Sequence, residues 1–444
     1  MSGFATRQIR AGATPQLAPN PAVVPIYQTA AYEFASWADA RDIFALRKRG
    51  NLYSRTGSPT QTVLEERVAA LDDGVAALAT ASGQSAVALT LLALAAPGGH
   101  IVAASRLYGG TVDLLTDLLP DLGITATLVE QNDETALRAA IRPETRAVFV
   151  ESIGNPTAAI ADLELIARVA HDAGVPLVVD NTVATPALLR PKEFGADLVV
   201  YSATKYLGGH GSSLGGVIVD LGTFDFGAEP DRWPQLTEPY PRVGDVVLWE
   251  RFGREGGAFL VYVKTRWAHD LGPALSPFNA HQILQGIETL DLRIARHSSS
   301  AERIALHLDA HPAVSRVHHP AVADSRTVAL ADRYLPRGVS GVFSFDLAAG
   351  ADAVPDFVDA LEDFSLVANI GDVRSLVIHP ATTTHSHLSD EQFRRAGISH
   401  ATVRLSVGLE DPGDLIADLD RALAVTRSGR AGTGRAPTHG KADE

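Results

Sequence analysis

Short apolar runs alternate with stretches of helical period along most of the chain. Val63, Leu64, Val68 and Leu71 fall on one face of a helix over 61–71. A strand-like run at 75–80 follows and ends in the small-residue loop Ala81-Ser82-Gly83-Gln84-Ser85, and the apolar segment after that loop reads as a buried helix. Strands are predicted at 100–104, 125–129 and 146–150, and helices at 111–119, 134–141 and 163–173. Two more apolar runs follow, VPLVVDN closing on Asp180 and ADLVVYSATK closing on Lys205. This βαβ rhythm predicts an α/β fold with a mostly parallel central sheet, covered by helices on both faces. In such open sheets ligands bind beyond the carboxyl ends of the strands.

The flanking regions have a different texture. Residues 1–60 are rich in Pro, Thr and Ala and read as an N-terminal arm, with one helical piece at 36–49 that Ser36 can cap. The sheet-forming part is expected over 61–260. Within it, 220–257 carries Trp, Pro, Gly and Asp without periodicity, and a loop of that length is usually functional or disordered. A long helix at 289–307 leads into a smaller C-terminal α/β domain, bounded at 261–427. Its mixed sheet is expected from strands at 342–347, 375–378 and 403–407, covered by helices at 353–361 and 390–396. Residues 428–444 are Gly-, Arg- and Thr-rich and read as a disordered tail.

Composition narrows the class. The chain has 444 residues, 46% hydrophobic and 20% charged, which suits a globular protein of two domains. A net charge of −14 argues against nucleic acid or an anionic membrane as partner. The absence of cysteine excludes disulfides, thiolate metal sites and thiol nucleophiles. The N-terminus lacks an apolar signal core, and the longest apolar stretch, 86–96, is too short to span a bilayer, so a cytoplasmic enzyme is expected. The pairs His318-His319 and His385-Ser-His387 have no carboxylate cluster beside them at ligand spacing, so no metal is expected.

The candidate chemistry centres on Lys205. It is one of only five lysines among 38 basic residues, and the single charged residue between Leu198 and Val219. Ser202, Thr204 and a glycine run surround it. Desolvation in such a loop disfavours the ammonium form, and a lysine that readily loses its proton suits Schiff-base chemistry; the ordinary alternative is a lysine snorkelling to solvent at a strand end. Asp180 shifts the balance. Neighbouring parallel strands would bring Asp180 and Lys205 to one sheet edge, and a carboxylate near such a lysine is what a pyridoxal phosphate site needs to keep the ring nitrogen protonated. The hydroxyls of Ser202 and Thr204, with nearby N–H groups, can hold a phosphate. The run Gly209-His-Gly211-Ser-Ser-Leu-Gly215 misses the dinucleotide spacing by one residue and does not link a strand to a helix.

Asp180-Asn-Thr182 together with Ser202-Ala-Thr204-Lys205-Tyr-Leu-Gly-Gly-His-Gly resembles the Cys/Met-metabolism family of pyridoxal-phosphate enzymes, over nearly the whole chain. The resemblance implies the fold of the pyridoxal-phosphate-dependent transferases of the aspartate-aminotransferase type, with pyridoxal 5'-phosphate carried on Lys205. It implies that Leu107-Tyr108-Gly-Gly-Thr supplies a tyrosine stacked on the cofactor ring, and that Glu151-Ser-Ile-Gly-Asn155-Pro supplies the asparagine facing its phenolic oxygen. Ser82, Gly83 and Gln84, with Thr182, Ser202 and Thr204, complete the cofactor set. Tyr53-x-Arg55 would reach the cofactor phosphate of a neighbouring subunit, which implies active sites shared within a homotetramer. Arg404, in Val-Arg-Leu-Ser-Val-Gly-Leu-Glu, would bind the substrate α-carboxylate.

The 220–257 insertion and the Asn369-to-His385 segment resemble the sulfhydrylase branch, with Asn369 beside the substrate. Expected, then, is γ-replacement on O-acetyl-L-homoserine with sulfide, giving L-homocysteine and acetate, with Lys205, Tyr108 and Asp180 as catalytic residues. Two positions depart from the family: Ser58 stands where Asn is usual, and Tyr240-Pro241-Arg242 where sulfhydrylases carry Tyr-His-Gly. A γ-lyase, a γ-replacement enzyme using another thiol or a carbon nucleophile, and a non-catalytic cofactor-binding homologue are the alternatives.

Overall fold

The computed structural model describes residues 3–12, 21–386, 393 and 396–427. The tail expected at 428–444, His387 and most of the helix expected at 390–396 lie outside the described residues.

Seven strands form the larger sheet, in the spatial order Ala76–Thr80, Gly216–Asp220, Leu198–Ser202, Leu177–Asp180, Thr145–Glu151, His100–Ala104, Thr125–Val129. Gly216–Asp220 runs antiparallel to both its neighbours, and the other adjacent pairs are parallel. The central strands are almost wholly buried, as expected where helices cover both faces. Their runs of Val, Leu, Ile and Ala are therefore continuous instead of alternating. Gly83–Leu94, Pro59–Leu71 and Leu163–Asp172 pack onto this sheet, and all three begin on a side-chain cap, from Ser82, Ser58 and Asp162 respectively.

The smaller sheet is mixed, in the order Val314–His318, Val342–Leu347, Thr402–Ser406, Leu376–Ile378, Ser365–Leu366. Only its last pair is parallel. The helix Leu290–Asp309 packs against this part of the chain and against its terminal helix Pro412–Arg427. The boundary expected at residue 261 falls inside a continuous helical stretch that runs from Ala258 to Leu271.

Two regions are more ordered than their composition indicates. Phe4–Arg10 is helical because tertiary contacts fix it: Arg7 pairs with Asp73 at 2.5 Å, and Gln8 donates to Asp291 at 2.6 Å. The 220–257 segment is held by rings rather than by long elements. Phe226 meets Trp233 edge-on at 5.0 Å and stacks on Phe259 at 5.6 Å, with Trp249 at 5.9 Å. Such pairs order a loop that has no period of its own. Among the described residues, no helix is long and apolar enough to cross a membrane.

Candidate active site

The carboxyl ends of the parallel strands converge on one edge. Thr80 precedes Ser82 and Gly83, Ala104 precedes Tyr108, Glu151 precedes Asn155, Asp180 precedes Thr182, and Ser202 precedes Lys205. Residues far apart in sequence thus share one edge because a parallel sheet points every strand end the same way.

Lys205 is largely shielded from water. Burial, and then the positive charge of Arg404, lower its pKa to about 8. Its Nζ donates to Asn369 Oδ1 at 2.5 Å. Asn369 in turn accepts from Arg404 Nη2 through its backbone oxygen at 3.1 Å, and Arg404 Nη1 donates to Asn155 Oδ1 at 3.1 Å. Arg404 is 3% exposed, in the middle of Thr402–Ser406, where it pairs in register with Ser344 on one side and Ile378 on the other. The smaller sheet therefore delivers a buried guanidinium to the ligand edge of the larger one. No carboxylate pairs with it among the described residues, and burial pulls its pKa to about 10.

Asp180 lies next to Lys205's strand. Its Oδ1 accepts the Thr182 N–H at 3.0 Å, and burial raises its pKa to about 6 against the opposing effect of the Thr182 bonds. Thr182 Oγ1 accepts the Ser202 N–H at 2.8 Å, so these two strand ends are latched together. On the far side, the helix Gly83–Leu94 starts against Ser202: a Cβ on Gly83 would lie 2.5 Å from Ser202 Cβ. The Ser82 side chain caps the N–H of Ser85. The N–H groups of Gly83 and Gln84 belong to the first turn, which has no intrahelical acceptors. Gln84's side chain donates to the Gly110 carbonyl at 2.8 Å, tying this turn to the loop of Tyr108. Thr204 Oγ1 bonds both the N–H and the carbonyl of Gly215.

Tyr108 is 45% exposed, with its ring over Gly110. Tyr53 and Arg55 are not brought to Lys205. Arg55 donates to the His269 carbonyl and lies 5.7 Å above the Tyr53 ring, which is 47% exposed. The departing residue Arg242 pairs with Asp270 at 2.7 Å, one position from the carbonyl that holds Arg55.

Two features gain their roles only in the fold. Glu151 is a candidate in the sequence, at a strand end and at the head of its motif, but without a task; its oxygens accept the N–H groups of Tyr108 at 2.5 Å and of Asn155 at 3.2 Å. Beneath the site, Ser152 donates to Asn181 Oδ1 at 2.7 Å, Asn181 to Tyr201 at 3.0 Å and Tyr201 to Asp72 at 2.8 Å. Such a chain is visible only once its four segments are folded together.

These residues fit pyridoxal phosphate. The site offers a lysine with a lowered pKa, a carboxylate able to face a ring nitrogen, a helix start pressed close by a glycine that leaves room for a phosphate, and an unpaired buried guanidinium for a carboxylate.

Comparison with known proteins agrees. Residues 5–424 match the family described as Cys/Met metabolism PLP-dependent enzyme. The O-acetyl-L-homoserine sulfhydrylase of Leptospira meyeri is 45% identical over 425 residues, 94% of this chain and 96% of that protein. The homocysteine synthase of Schizosaccharomyces pombe is 44% identical, covering 95% of this chain and 98% of its own. Among solved structures, a Campylobacter jejuni protein named as an O-acetylhomoserine (thiol)-lyase superposes with a TM-score of 0.91 at 36% identity, over 95% of this chain and all of that one. It carries N'-pyridoxyl-lysine-5'-monophosphate.

Proposed function

The chain belongs to the Cys/Met metabolism PLP-dependent enzymes, and we propose that it catalyses γ-replacement on O-acetyl-L-homoserine with sulfide, yielding L-homocysteine and acetate for methionine biosynthesis. The observation that carries this reading is the Lys205–Asn369–Arg404 cluster, in which the base, the carboxylate anchor and a sulfhydrylase-like loop meet through two hydrogen bonds.

Pyridoxal phosphate, when bound, supplies an electron sink that stabilises negative charge at the substrate α-carbon. The remaining work falls to the chain. Lys205 presents an amine that is partly unprotonated near neutral pH, so it can take the proton from Cα of the donor. On its flexible stem the same amine can reach the proton on Cβ, which must leave before acetate departs from Cγ. Arg404 anchors the α-carboxylate while protons move at these two carbons. Asp180 would hold a proton at the ring nitrogen, Asn155 would face the ring oxygen, and Tyr108 would cover the ring. Ser82, Gly83, Gln84, Thr182, Ser202 and Thr204 would hold the phosphate. Asn369 holds Lys205 Nζ when the amine is free.

We further read the enzyme as a cytoplasmic homotetramer with shared sites, built from a cofactor domain that begins near 61 and a C-terminal domain that ends near 427, joined through the helical stretch from Ala258 to Leu271. Support for sharing comes from the arm. Arg55 is held by the His269 carbonyl, Tyr53 is 47% exposed, and Val23, Trp37 and Phe44 leave 63%, 77% and 63% of their surface exposed, as a segment that packs on a neighbour would.

The deciding assay offers O-acetyl- and O-succinylhomoserine, each with sulfide, methanethiol, cysteine or no acceptor, and quantifies the products. Homocysteine from O-acetylhomoserine and sulfide, formed faster than any other product, is the expected result. Rapid release of 2-oxobutanoate and ammonia without an acceptor would place the enzyme with the lyases.

A further inference from the structure

Glu151 ends the strand Thr145–Glu151 and pairs in register with Asp180 across the parallel ladder. Register partners on adjacent parallel strands face the same side, so the two carboxyl groups are neighbours on the ligand edge. Glu151 is 4% exposed, and among the described residues no cation pairs with it. Its two oxygens are taken by two backbone N–H groups, Oε1 by Tyr108 and Oε2 by Asn155. These belong to different loops. The Tyr108 loop follows His100–Ala104, and the Asn155 loop follows Glu151's own strand.

We propose that Glu151 is a positioning residue of the active site, whose one side chain fixes the Tyr108 loop and the Asn155 loop to each other and to the strand end beside Asp180. The inference rests on the reading that pyridoxal phosphate binds among these groups, and it adds a residue that touches neither cofactor nor substrate. Three features require such a tether. Tyr108 is half exposed, so its own side chain does little to fix the backbone that carries it. Asn155 must also meet Arg404, so its position sets the carboxylate anchor as well. The third is charge. Burial, and then the nearby Asp180, push the Glu151 carboxyl well above the usual carboxylate range. A carboxyl shifted toward its protonated form still has lone pairs for two N–H groups, and it competes less with Asp180 for the negative charge that faces the ring nitrogen.

Glu151→Gln tests this in the holoenzyme. The amide keeps the volume but offers one acceptor oxygen instead of two, so one loop loses its tether. Expected is a fall in kcat of about tenfold, with KM for O-acetylhomoserine held within about twofold, because misplaced groups impair the reaction more than ground-state binding. The visible band of the bound cofactor should titrate as in the wild type, since Asp180 keeps its charge. Glu151→Ala, which loses both tethers, should lower kcat further at similar cofactor content. Either variant turning over at the wild-type kcat, with only a lowered Tm, would overturn the proposal and leave Glu151 a brace of the fold. A Glu151→Gln protein that could not be recovered folded would overturn it in the same way. A shifted titration of the visible band in Glu151→Gln would show that Glu151 acts on the cofactor through its charge and would overturn a purely positioning role. Failure of the wild type itself to turn over O-acetylhomoserine would instead refute the functional reading, independently of Glu151.

Discussion

At the scale of single residues, the site pairs a lysine made easy to deprotonate with a buried arginine that meets no carboxylate among the described residues. Burial at the join of two sheets lowers the pKa of both, and the positive charge of Arg404 lowers that of Lys205 further. The sign for Lys205 is definite: its amine is protonated below about pH 8 and free above it, where an unburied lysine would stay protonated to about pH 10. Since only the free amine can attack an aldehyde, the rate at which the cofactor-free enzyme takes up pyridoxal phosphate should rise with pH, reach half its maximum near 8 and level off above that. A rate still climbing at pH 10, followed by the visible absorbance, would show that Lys205 is not desolvated. Arg404 calls for a different measurement. Replacing its planar fork by a point charge in Arg404→Lys should lower kcat/KM for the amino-acid donor by roughly ten- to a hundredfold, with cofactor affinity unchanged. Unaltered kcat/KM would remove Arg404 from the carboxylate anchor.

Elements set where these residues stand. The helix Gly83–Leu94 can begin against Ser202 only because position 83 lacks a Cβ. Gly83→Ala should push the helix start off Ser202 and weaken pyridoxal phosphate binding by about tenfold or more, through the first-turn N–H groups. Equilibrium dialysis of the cofactor would detect this, and wild-type affinity would mean that the helix start does not hold the phosphate. Most of this architecture was legible in the sequence. The strands at 100–104 and 342–347 fall where the apolar runs place them, because buried parallel and central strands leave continuous hydrophobic stretches, and the edge strand at 125–129, only partly buried, falls at its predicted place too. Lys205 and Asp180 stood out because each closes such a run. What stayed hidden depends on contacts between distant segments. The Phe4–Arg10 helix is held by Asp73 and Asp291, and the aromatic knot around Phe226 orders an insertion without period. Asn369 could be flagged by its motif, but its bond to Lys205 spans 164 residues.

For the whole molecule, the decisive question is whether one chain holds a complete site. Arg55 bonds the His269 carbonyl and lies over the Tyr53 ring, and neither is hydrogen-bonded to Lys205, so each site is expected to borrow them from a neighbour. Arg55→Ala and Lys205→Ala subunits, each inactive alone, should recover activity on mixing. Half of the dimers in an equal mixture are hybrids, and one of the two sites in each carries neither change, so about a quarter of wild-type activity should return. No recovery in verified hybrids, or a monomeric native mass, would contradict sharing.

Every contact in the site, from Asn369, Arg404 and Asn155 to the latch between Thr182 and Ser202, is arranged around Lys205. Borohydride reduction of the purified holoenzyme, followed by peptide mapping, tests that centre most directly. The reduced cofactor should be found on Lys205 and on none of the other four lysines. An adduct on Lys48, Lys192, Lys264 or Lys441, or no adduct at all, would contradict it.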